Sequence, residues 1–332
     1  MTDAARPRVF VSRRIPEEGL RLVAQATQVD LWPDDLPPPR EELLRRVAGV
    51  DGLLALLTDR VDDELLDAAG PQLRVVSNYA VGFDNVDVPA CTRRGVAVGN
   101  TPGVLTETTA DLAFALLMAA ARRLAEGYDY VRADRWKTWG PLLLQGTDVH
   151  HATLGIIGFG RIGREMARRA AGFDMTVLYH DAVRASPEDE AALHARAVTM
   201  DALLAASDFV TLHVNLTPET RGLMDRDAFR RMKPTAIVIN TSRGPVVDQG
   251  ALFEALRDGE IGGAALDVTD PEPMRADDPL LSLPNCLVVP HIASASRATR
   301  ARMAEIAAAN LLAGLRGEPL PAPVNPEVAP RR

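Results

Sequence analysis

Late in the chain, three segments carry charged side chains where apolar runs stop: Asn240-Thr241-Ser242-Arg243-Gly244, Leu266-Asp267-Val268-Thr269-Asp270-Pro271-Glu272-Pro273 and Pro290-His291-Ile292-Ala293-Ser294. An imidazole, a carboxylate and a guanidinium together suit the reduction of a carbonyl. Hydride delivery requires a proton donor for the new alkoxide, a cation to polarise the carbonyl or clamp an attached carboxylate, and exclusion of water. His291 and Arg243 supply the first two. A carboxylate beside an imidazole favours the protonated ring, and Glu272 is the candidate. Singly, each residue also reads as a surface charge, a solvated acid or a capped strand end. Their joint placement at the edge of one inferred sheet makes Arg243, Glu272 and His291 the candidate catalytic residues.

Hydride chemistry needs a carrier, and the stretch from Thr153 to Asp181 reads as its binding site. The apolar run Leu154, Ile156, Ile157 ends in Gly158-Phe159-Gly160-Arg161-Ile162-Gly163, a helix-like segment follows, and a second apolar run (Val177, Leu178, Tyr179) ends at Asp181. In a strand, glycine turn, helix, strand order, the first glycine makes the turn, the second admits a pyrophosphate, and the third lets helix and strand pack. An acid about twenty residues on accepts ribose hydroxyls and repels a 2′-phosphate. This favours NAD, used as NADH, while His180 and Arg184 beside Asp181 leave NADP possible.

The elements that must position these groups are also legible. Short apolar strands alternate with amphipathic helices at Arg8–Ser12, Val29–Trp32, Gly52–Leu57, Arg74–Asn78 and Val96–Asn100, which predicts a parallel sheet covered on both faces. Val81-Gly82, after one of these strands, forms either a simple turn or a cradle of bare amides for a carboxylate. Leu56, Leu57 and Thr58 end another strand and are candidates to line the same mouth. From Thr153 a second α/β unit continues through strands predicted at Ala197–Met200, Phe209–Val214, Ala236–Asn240 and Ala264–Val268. His213, at a strand end, either faces the cofactor or is an ordinary structural histidine.

A helix predicted from Glu107 to Leu124 is apolar almost all round in its middle, so it should be buried on more than one side, by a second domain or a second subunit. The aromatic-rich segment after it carries Trp136 and Trp139, which suit either an interface or a core. A last strand at Cys286–Val289 precedes a long helix, Ser296–Arg316, that can return to the first unit. The fold expectation is therefore α/β, with two Rossmann-like doubly wound parallel-sheet domains and a cleft between them. Residues 1–100 plus 287–332 would bind substrate and 101–286 would bind the nucleotide, with the two crossings acting as hinges.

Composition bounds the rest. With 332 residues, 47% of them hydrophobic, the chain is long enough for two cores, and a formal charge of −8 argues against a nucleic-acid partner. Cys91 and Cys286 lack metal or redox spacing, His150-His151 lacks further ligands, and no apolar run is long enough for a bilayer. The expectation is a reduced, cytoplasmic protein with no metal and no membrane partner.

Several motifs, VFVSRRIPEEG, SNYAVGFDNVD, NTPGVLTETTADLAFALL, LGIIGFGRIG, LTPETRGLM, INTSRGPVVD, ALDVTDPEP, NCLVVPHIASAS and NLLAGLRGEPLP, occur in one order across nearly the whole chain. In these the sequence resembles the D-isomer-specific 2-hydroxyacid dehydrogenases, and within them the glyoxylate/hydroxypyruvate reductase branch. The resemblance implies that Arg243 binds substrate, Glu272 is the acid paired with the histidine, and His291 is the proton donor. It further implies that Asp267 receives the nicotinamide carboxamide, that the Val81-Gly82 amides hold the substrate carboxylate, and that Ser294 lies in the active-site loop. Trp139 matches a tryptophan that in similar reductases reaches into the neighbouring subunit, which implies a homodimer. Thr106, Thr241, Ser242, Arg243 and His291, with His213, complete the candidate cofactor contacts; Leu56 joins Val81, Gly82, Arg243, His291 and Ser294 as a substrate contact.

Two departures matter. Asn215 stands where many relatives carry proline, and Asp181-Ala182 stands where many similar glyoxylate reductases carry a serine- or glycine-arginine pair for a 2′-phosphate. The expected activity is NADH-dependent reduction of a small 2-keto acid, glyoxylate or hydroxypyruvate, to the D-hydroxy acid. The alternatives are another D-2-hydroxyacid dehydrogenase, acting on phosphoglycerate or a larger keto acid, and an NAD-sensing protein like the corepressors that share the fold.

Overall fold

The computed structural model describes residues 6–329 and falls into two compact units. The first runs to Leu105 and resumes at Ala295, and the second is Thr106–Ser294. Both are parallel α/β folds, in keeping with the alternation of apolar strands and amphipathic helices.

The first unit begins β1 (Arg8–Val11), α1 (Glu17–Ala26), β2 (Gln28–Leu31), α2 (Arg40–Val47), β3 (Gly52–Ala55), α3 (Asp63–Ala69), β4 (Val75–Asn78), α4 (Val88–Arg93) and β5 (Ala97–Gly99). Its five strands lie in the order β2-β1-β3-β4-β5, all parallel. Side chains alternate between faces along a strand, and here both faces are buried. Phe10, Leu53, Ala55, Val76 and Val98 enter one core, while Val9, Val11, Leu54, Val75 and Ala97 enter another. Each fully buried aliphatic or aromatic side chain contributes about 1.5–3 kcal/mol.

The second unit opens with α5 (Thr106–Ala121) and α6 (Leu124–Arg132), then runs β6 (Thr153–Ile157), α7 (Arg161–Ala171), β7 (Thr176–His180), α8 (Pro187–Ala192), β8 (Ala195–Ala197), α9 (Met200–Ala206), β9 (Phe209–Leu212), α10 (Arg226–Arg230), β10 (Ile237–Asn240), α11 (Gln249–Arg257), β11 (Gly263–Leu266) and β12 (Cys286–Val288). Its sheet order is β12-β11-β10-β9-β6-β7-β8. The order reverses between β6 and β9, and ligands of open parallel sheets bind beyond the strand carboxyl ends at such a switch. The last helix, α12 (Arg297–Arg316), packs on α1 and on β3, β4 and β5 of the first unit.

Short polar residues set several helix starts: Asp62, Asp87, Ser186, Thr199, Asp225, Asp248 and Ser296 each accept a first-turn backbone N–H. This corrects one expectation. The strand placed at Ala197–Met200 is β8, Ala195–Ala197, because Thr199 caps a helix that starts at Met200.

The helix expected over Glu107–Leu124 ends at Ala121, and Arg123 adopts a left-handed φ of 52° before α6 begins. Within the single chain its burial is one-sided. Ala110, Ala113, Phe114, Leu117 and Ala121 are buried, while Glu107, Asp111 and Ala115 leave the opposite face open. The boundary read from the sequence at 286/287 cuts β12, which pairs in parallel with β11 in the second sheet.

Candidate active site

β6 stops at Ile157 because Gly158 turns the chain with φ 91°, and a side chain there would strike the His213 carbonyl at 2.6 Å. The loops after β6 and β9 thus touch at the switch point. Gly160 caps α7 with no side-chain partner for the first-turn amides, and a Cβ added to it meets nothing within 4 Å. Gly163 packs so closely on the turn that a Cβ would lie 2.2 Å from the Gly158 oxygen. Arg161 is exposed, and Ile162 packs on the core below. Bare amides at a helix start beside open space fit an anionic phosphate pair.

The emptiness beside Gly160 separates ligand binding from folding. Gly160→Val should raise the Kd for NADH by about tenfold or more through lost pyrophosphate space. Its stability should fall by no more than about 1 kcal/mol, the scale of a changed helix cap. Calorimetric titration with NADH and thermal unfolding check the two parts, and unchanged NADH affinity would remove the pyrophosphate from this loop.

At the end of β7, the Asp181 carboxylate accepts the Phe159 N–H at 2.6 Å and the Val183 N–H at 3.0 Å. It therefore braces the glycine turn while keeping lone pairs for a ribose. Two polar atoms in neighbouring strand-end loops are buried without a protein partner, Nδ1 of His213 and Oγ1 of Thr241. Such atoms are costly unless a ligand or water satisfies them, so they fit a bound dinucleotide.

His213 keeps a little exposed surface, but its ring is enclosed, with Nε2 2.8 Å from Thr211 Oγ1, and burial pulls its pKa down to about 3. The folded state therefore binds the neutral ring. Between about pH 6.5 and 3 the unfolded chain takes up a proton that the folded chain does not, so stability falls with falling pH by about 1.4 kcal/mol per unit. His213→Gln should flatten the pH dependence of the unfolding free energy between pH 6 and 4 by about one proton. Identical slopes in urea unfolding would show that the ring is solvated.

The candidate catalytic residues come from the loops after β10, β11 and β12. Asn240 folds the first loop: its Oδ1 accepts Ser242 N–H at 3.0 Å and Ser242 Oγ–H at 2.8 Å, and its Nδ2 donates to the Arg243 carbonyl at 2.9 Å. Arg243 is held over its own loop by Nη1–H donation to the Ser242 carbonyl at 2.8 Å. Asp267, 1% exposed, accepts the N–H groups of Ile292 at 2.6 Å and Ala293 at 2.8 Å, while its carbonyl takes the His291 N–H at 2.9 Å. Burial pushes its carboxyl above the usual aspartate range, against the pull of those two amides.

His291 itself sits at φ 52°, and its Nδ1 lies 2.5 Å from Glu272 Oε1. With Nδ1 engaged, Nε2 is the nitrogen left to face a substrate. Ser294 is half-buried three residues on, and Thr106 starts α5.

In the first unit, the carbonyls of Val81 and Gly82 are tied by Asn100 Nδ2 at 2.7 Å and Asn78 Nδ2 at 2.9 Å. Their own N–H groups meet no acceptor among the described residues. This favours the amide cradle over the simple turn. Leu56 is half-buried, with its N–H on Asp59 at 2.7 Å and its carbonyl on Asn85 at 3.1 Å. Sequence reasoning gave no role to Asn78, Asn100 and Asn240, whose common signal is asparagine at or just after a strand end, or to Asn85 in the loop after β4.

Trp139 is 78% exposed on the segment after α6 and touches none of these groups. Among the described residues no cluster of three or more His, Cys, Asp or Glu is placed to hold a metal, and no helix is long and apolar enough to cross a membrane.

A dinucleotide turn at a sheet switch point, with a histidine-carboxylate pair and an arginine on the same sheet edge, defines a class of hydride-transfer enzymes. Residues 114–293 match the NAD binding domain of the D-isomer specific 2-hydroxyacid dehydrogenases, and the chain belongs to that family. It falls in the glyoxylate reductase branch. It is 54% identical over 324 residues to a glyoxylate reductase of Korarchaeum cryptofilum, covering 97% of each chain. It is 48% identical over 316 residues to the human glyoxylate reductase/hydroxypyruvate reductase, covering 95% of this chain and 96% of that one. An NADPH-dependent glyoxylate/hydroxypyruvate reductase of Sinorhizobium meliloti, solved with NADP and malonate, superposes with a TM-score of 0.85 at 32% identity over 99% of each chain.

Proposed function

We propose that the protein reduces glyoxylate or hydroxypyruvate to glycolate or D-glycerate, with NADH as the preferred cofactor. The carrying observation is the His291–Glu272 pair on the sheet edge that also bears Arg243 and the dinucleotide turn. NADH, when bound, supplies the hydride to the carbonyl carbon. His291 donates its Nε2 proton to the carbonyl oxygen, and Glu272 holds the ring through Nδ1. Arg243 and the Val81 and Gly82 amides take the substrate carboxylate, which fixes the face presented to hydride and hence the D configuration. Gly158 to Gly163 receive the pyrophosphate. Asp181 takes the adenosine ribose, and Thr106, His213, Thr241, Ser242 and Asp267 complete the cofactor contacts.

Steady-state rates with NADH and NADPH against glyoxylate, hydroxypyruvate and pyruvate test this reading. The expected ranking places NADH above NADPH and the two small substrates above pyruvate. A strong NADPH preference would refute the role given to Asp181, and negligible turnover would favour a sensor.

The reading extends to a homodimer built on α6 and the segment after it. No residue of α6 is buried, and Tyr128 (63% exposed) on it and Trp136 (59%), Trp139 (78%) and Leu142 (79%) on the segment after it expose large apolar side chains. Apolar surface on this scale marks an interface. A second copy is the proposed occupant because the resemblance matches Trp139 to a tryptophan that reaches into a neighbouring subunit's site. Trp136→Asp combined with Leu142→Asp should weaken dimerisation by at least about tenfold. Sedimentation of the variant as a stable dimer would remove these side chains from the interface. Cys91 and Cys286 are free thiols, consistent with the proposed cytoplasmic location.

A further inference from the structure

Two arginines, Arg164 and Arg184, lie beside the backbone that Asp181 binds, and each is engaged by an acid. Arg164 donates from Nε to the carbonyl of Phe159 at 3.2 Å, the residue whose N–H is bound by Asp181. Arg184 lies one residue beyond Val183, whose N–H is also bound by Asp181. Both arginines thus lie next to backbone that Asp181 holds, and the sequence points to Arg184 as a residue able to soften the preference for NAD.

Each is instead taken by an acid of α8. Arg164 Nη1 lies 2.8 Å from Asp189 Oδ2. Arg184 meets Glu190 in a two-pronged pair, Nε to Oε1 and Nη2 to Oε2, both at 2.9 Å.

Glu190 is a fixed acceptor rather than a passing surface contact. Its side chain is 15% exposed, whereas that of Arg184 is 73% exposed. The hydroxyl of the buried Tyr179 donates to Glu190 Oε1 at 2.6 Å, and the Tyr179 ring stacks at 4.0 Å on Phe159 of the glycine turn. The Arg184 guanidinium, with that hydroxyl, holds the Glu190 carboxyl down at about 2, so the acid stays charged at any working pH. Two-pronged arginine-carboxylate pairs have the geometry that arginine also uses for phosphate, so the Nε–Nη2 edge of Arg184 that Glu190 occupies is not offered to a phosphate and its charge is already partnered.

We propose that Glu190, with Asp189, is a cofactor-specificity residue: by engaging Arg184 and Arg164 it denies a 2′-phosphate its cations and reinforces the exclusion that Asp181 begins. The inference rests on the reading that NADH is preferred. It adds that the preference is held by two layers, a repelling carboxylate in the ribose site and a pair of acids that withdraw the neighbouring arginines.

Titration of the purified protein with ADP-ribose and with 2′-phospho-ADP-ribose tests this without turnover. Glu190→Gln keeps an oxygen for the Tyr179 hydroxyl and loses the charge that holds Arg184. It should bind 2′-phospho-ADP-ribose about tenfold or more tighter than the wild type, with ADP-ribose affinity changed less than about twofold. Asp189→Asn added to it should extend the gain. Glu188→Gln, which removes an equal charge from an exposed position on the same helix, should give none. Arg184→Gln in the Glu190→Gln background should abolish the gain. A Glu190→Gln variant with wild-type ADP-ribose affinity and no gain for the phosphorylated ligand overturns the proposal alone. A wild type that binds both ligands equally overturns the NADH reading with it, and an equal gain in Glu188→Gln reduces the effect to bulk charge.

Discussion

Replacing His291 by alanine is expected to lower kcat for glyoxylate reduction by about 10²- to 10⁴-fold, the range that a positioned proton donor contributes. NADH affinity should stay near that of the wild type, because the turn at Gly158 to Gly163 lies in a different loop of the sheet edge. The size of the effect follows from how fully the ring is committed. Nδ1 is 2.5 Å from Glu272, the backbone N–H is bound to the Asp267 carbonyl, and the residue sits in the left-handed region at φ 52°. A side chain held at three points is placed for one task, and water entering in its stead is unoriented.

Glu272→Gln should give a smaller loss, because an amide can still hold the ring but supplies no negative charge to pair with a proton-bearing imidazolium. A His291→Ala variant with wild-type kcat would show that the proton comes from elsewhere. An unchanged kcat in Glu272→Gln would show that only the hydrogen bond matters.

How much of this was legible in the sequence follows from the range of the forces involved. The sheets were legible because burial on both faces forces apolar runs such as Val9-Phe10-Val11 and Phe209-Val210, and the glycine turn because close backbone approach admits no side chain at Gly158 or Gly163. Arg243, Glu272 and His291 stood out as charges at the ends of such runs. The start of α9 was misread because Val198 continues an apolar pattern that the Thr199 cap interrupts, and a one-residue cap outweighs a weak periodicity.

Apart from Glu272 with His291, pairings across sequence distance left no trace. Nothing periodic connects Asp189 to Arg164, or Asp267 to the amides of residues 292 and 293, since these contacts depend on where three loops converge. The resemblance offered Asp267 as an acceptor for the nicotinamide carboxamide. The structure adds that its carboxylate also holds the backbone that carries His291.

That second role predicts an unusual separation of stability from activity at Asp267. Its side chain is enclosed, burial raises its pKa, and the Ile292 and Ala293 amides, then the His291 charge, pull the other way without cancelling the rise. A carboxylate with a raised folded pKa contributes stability that is complete below the unfolded value, about 4, and is lost as pH rises through the folded value. At neutral pH the charge is thus a net cost, which an uncharged replacement recovers. Asp267→Asn recovers that cost but offers an acceptor to only one of the two amides, and an unmet buried N–H costs about 1–3 kcal/mol. The two effects oppose each other, so Asp267→Asn should lose less stability at pH 7 than Asp267→Ala. Asp267→Ala leaves both amides unmet and should be destabilised by about 2–4 kcal/mol.

Activity should not follow stability. Either change frees residues 291–293 from their anchor, and a displacement of the proton donor by about 1 Å is enough to cost about 10²-fold in kcat/KM. Asp267→Asn is thus expected to be a well-folded protein with a heavily impaired rate. Full activity in that variant would mean that Glu272 and the Asp267 carbonyl suffice to seat His291, and a loss of activity only in step with a loss of folded protein would assign Asp267 to stability alone.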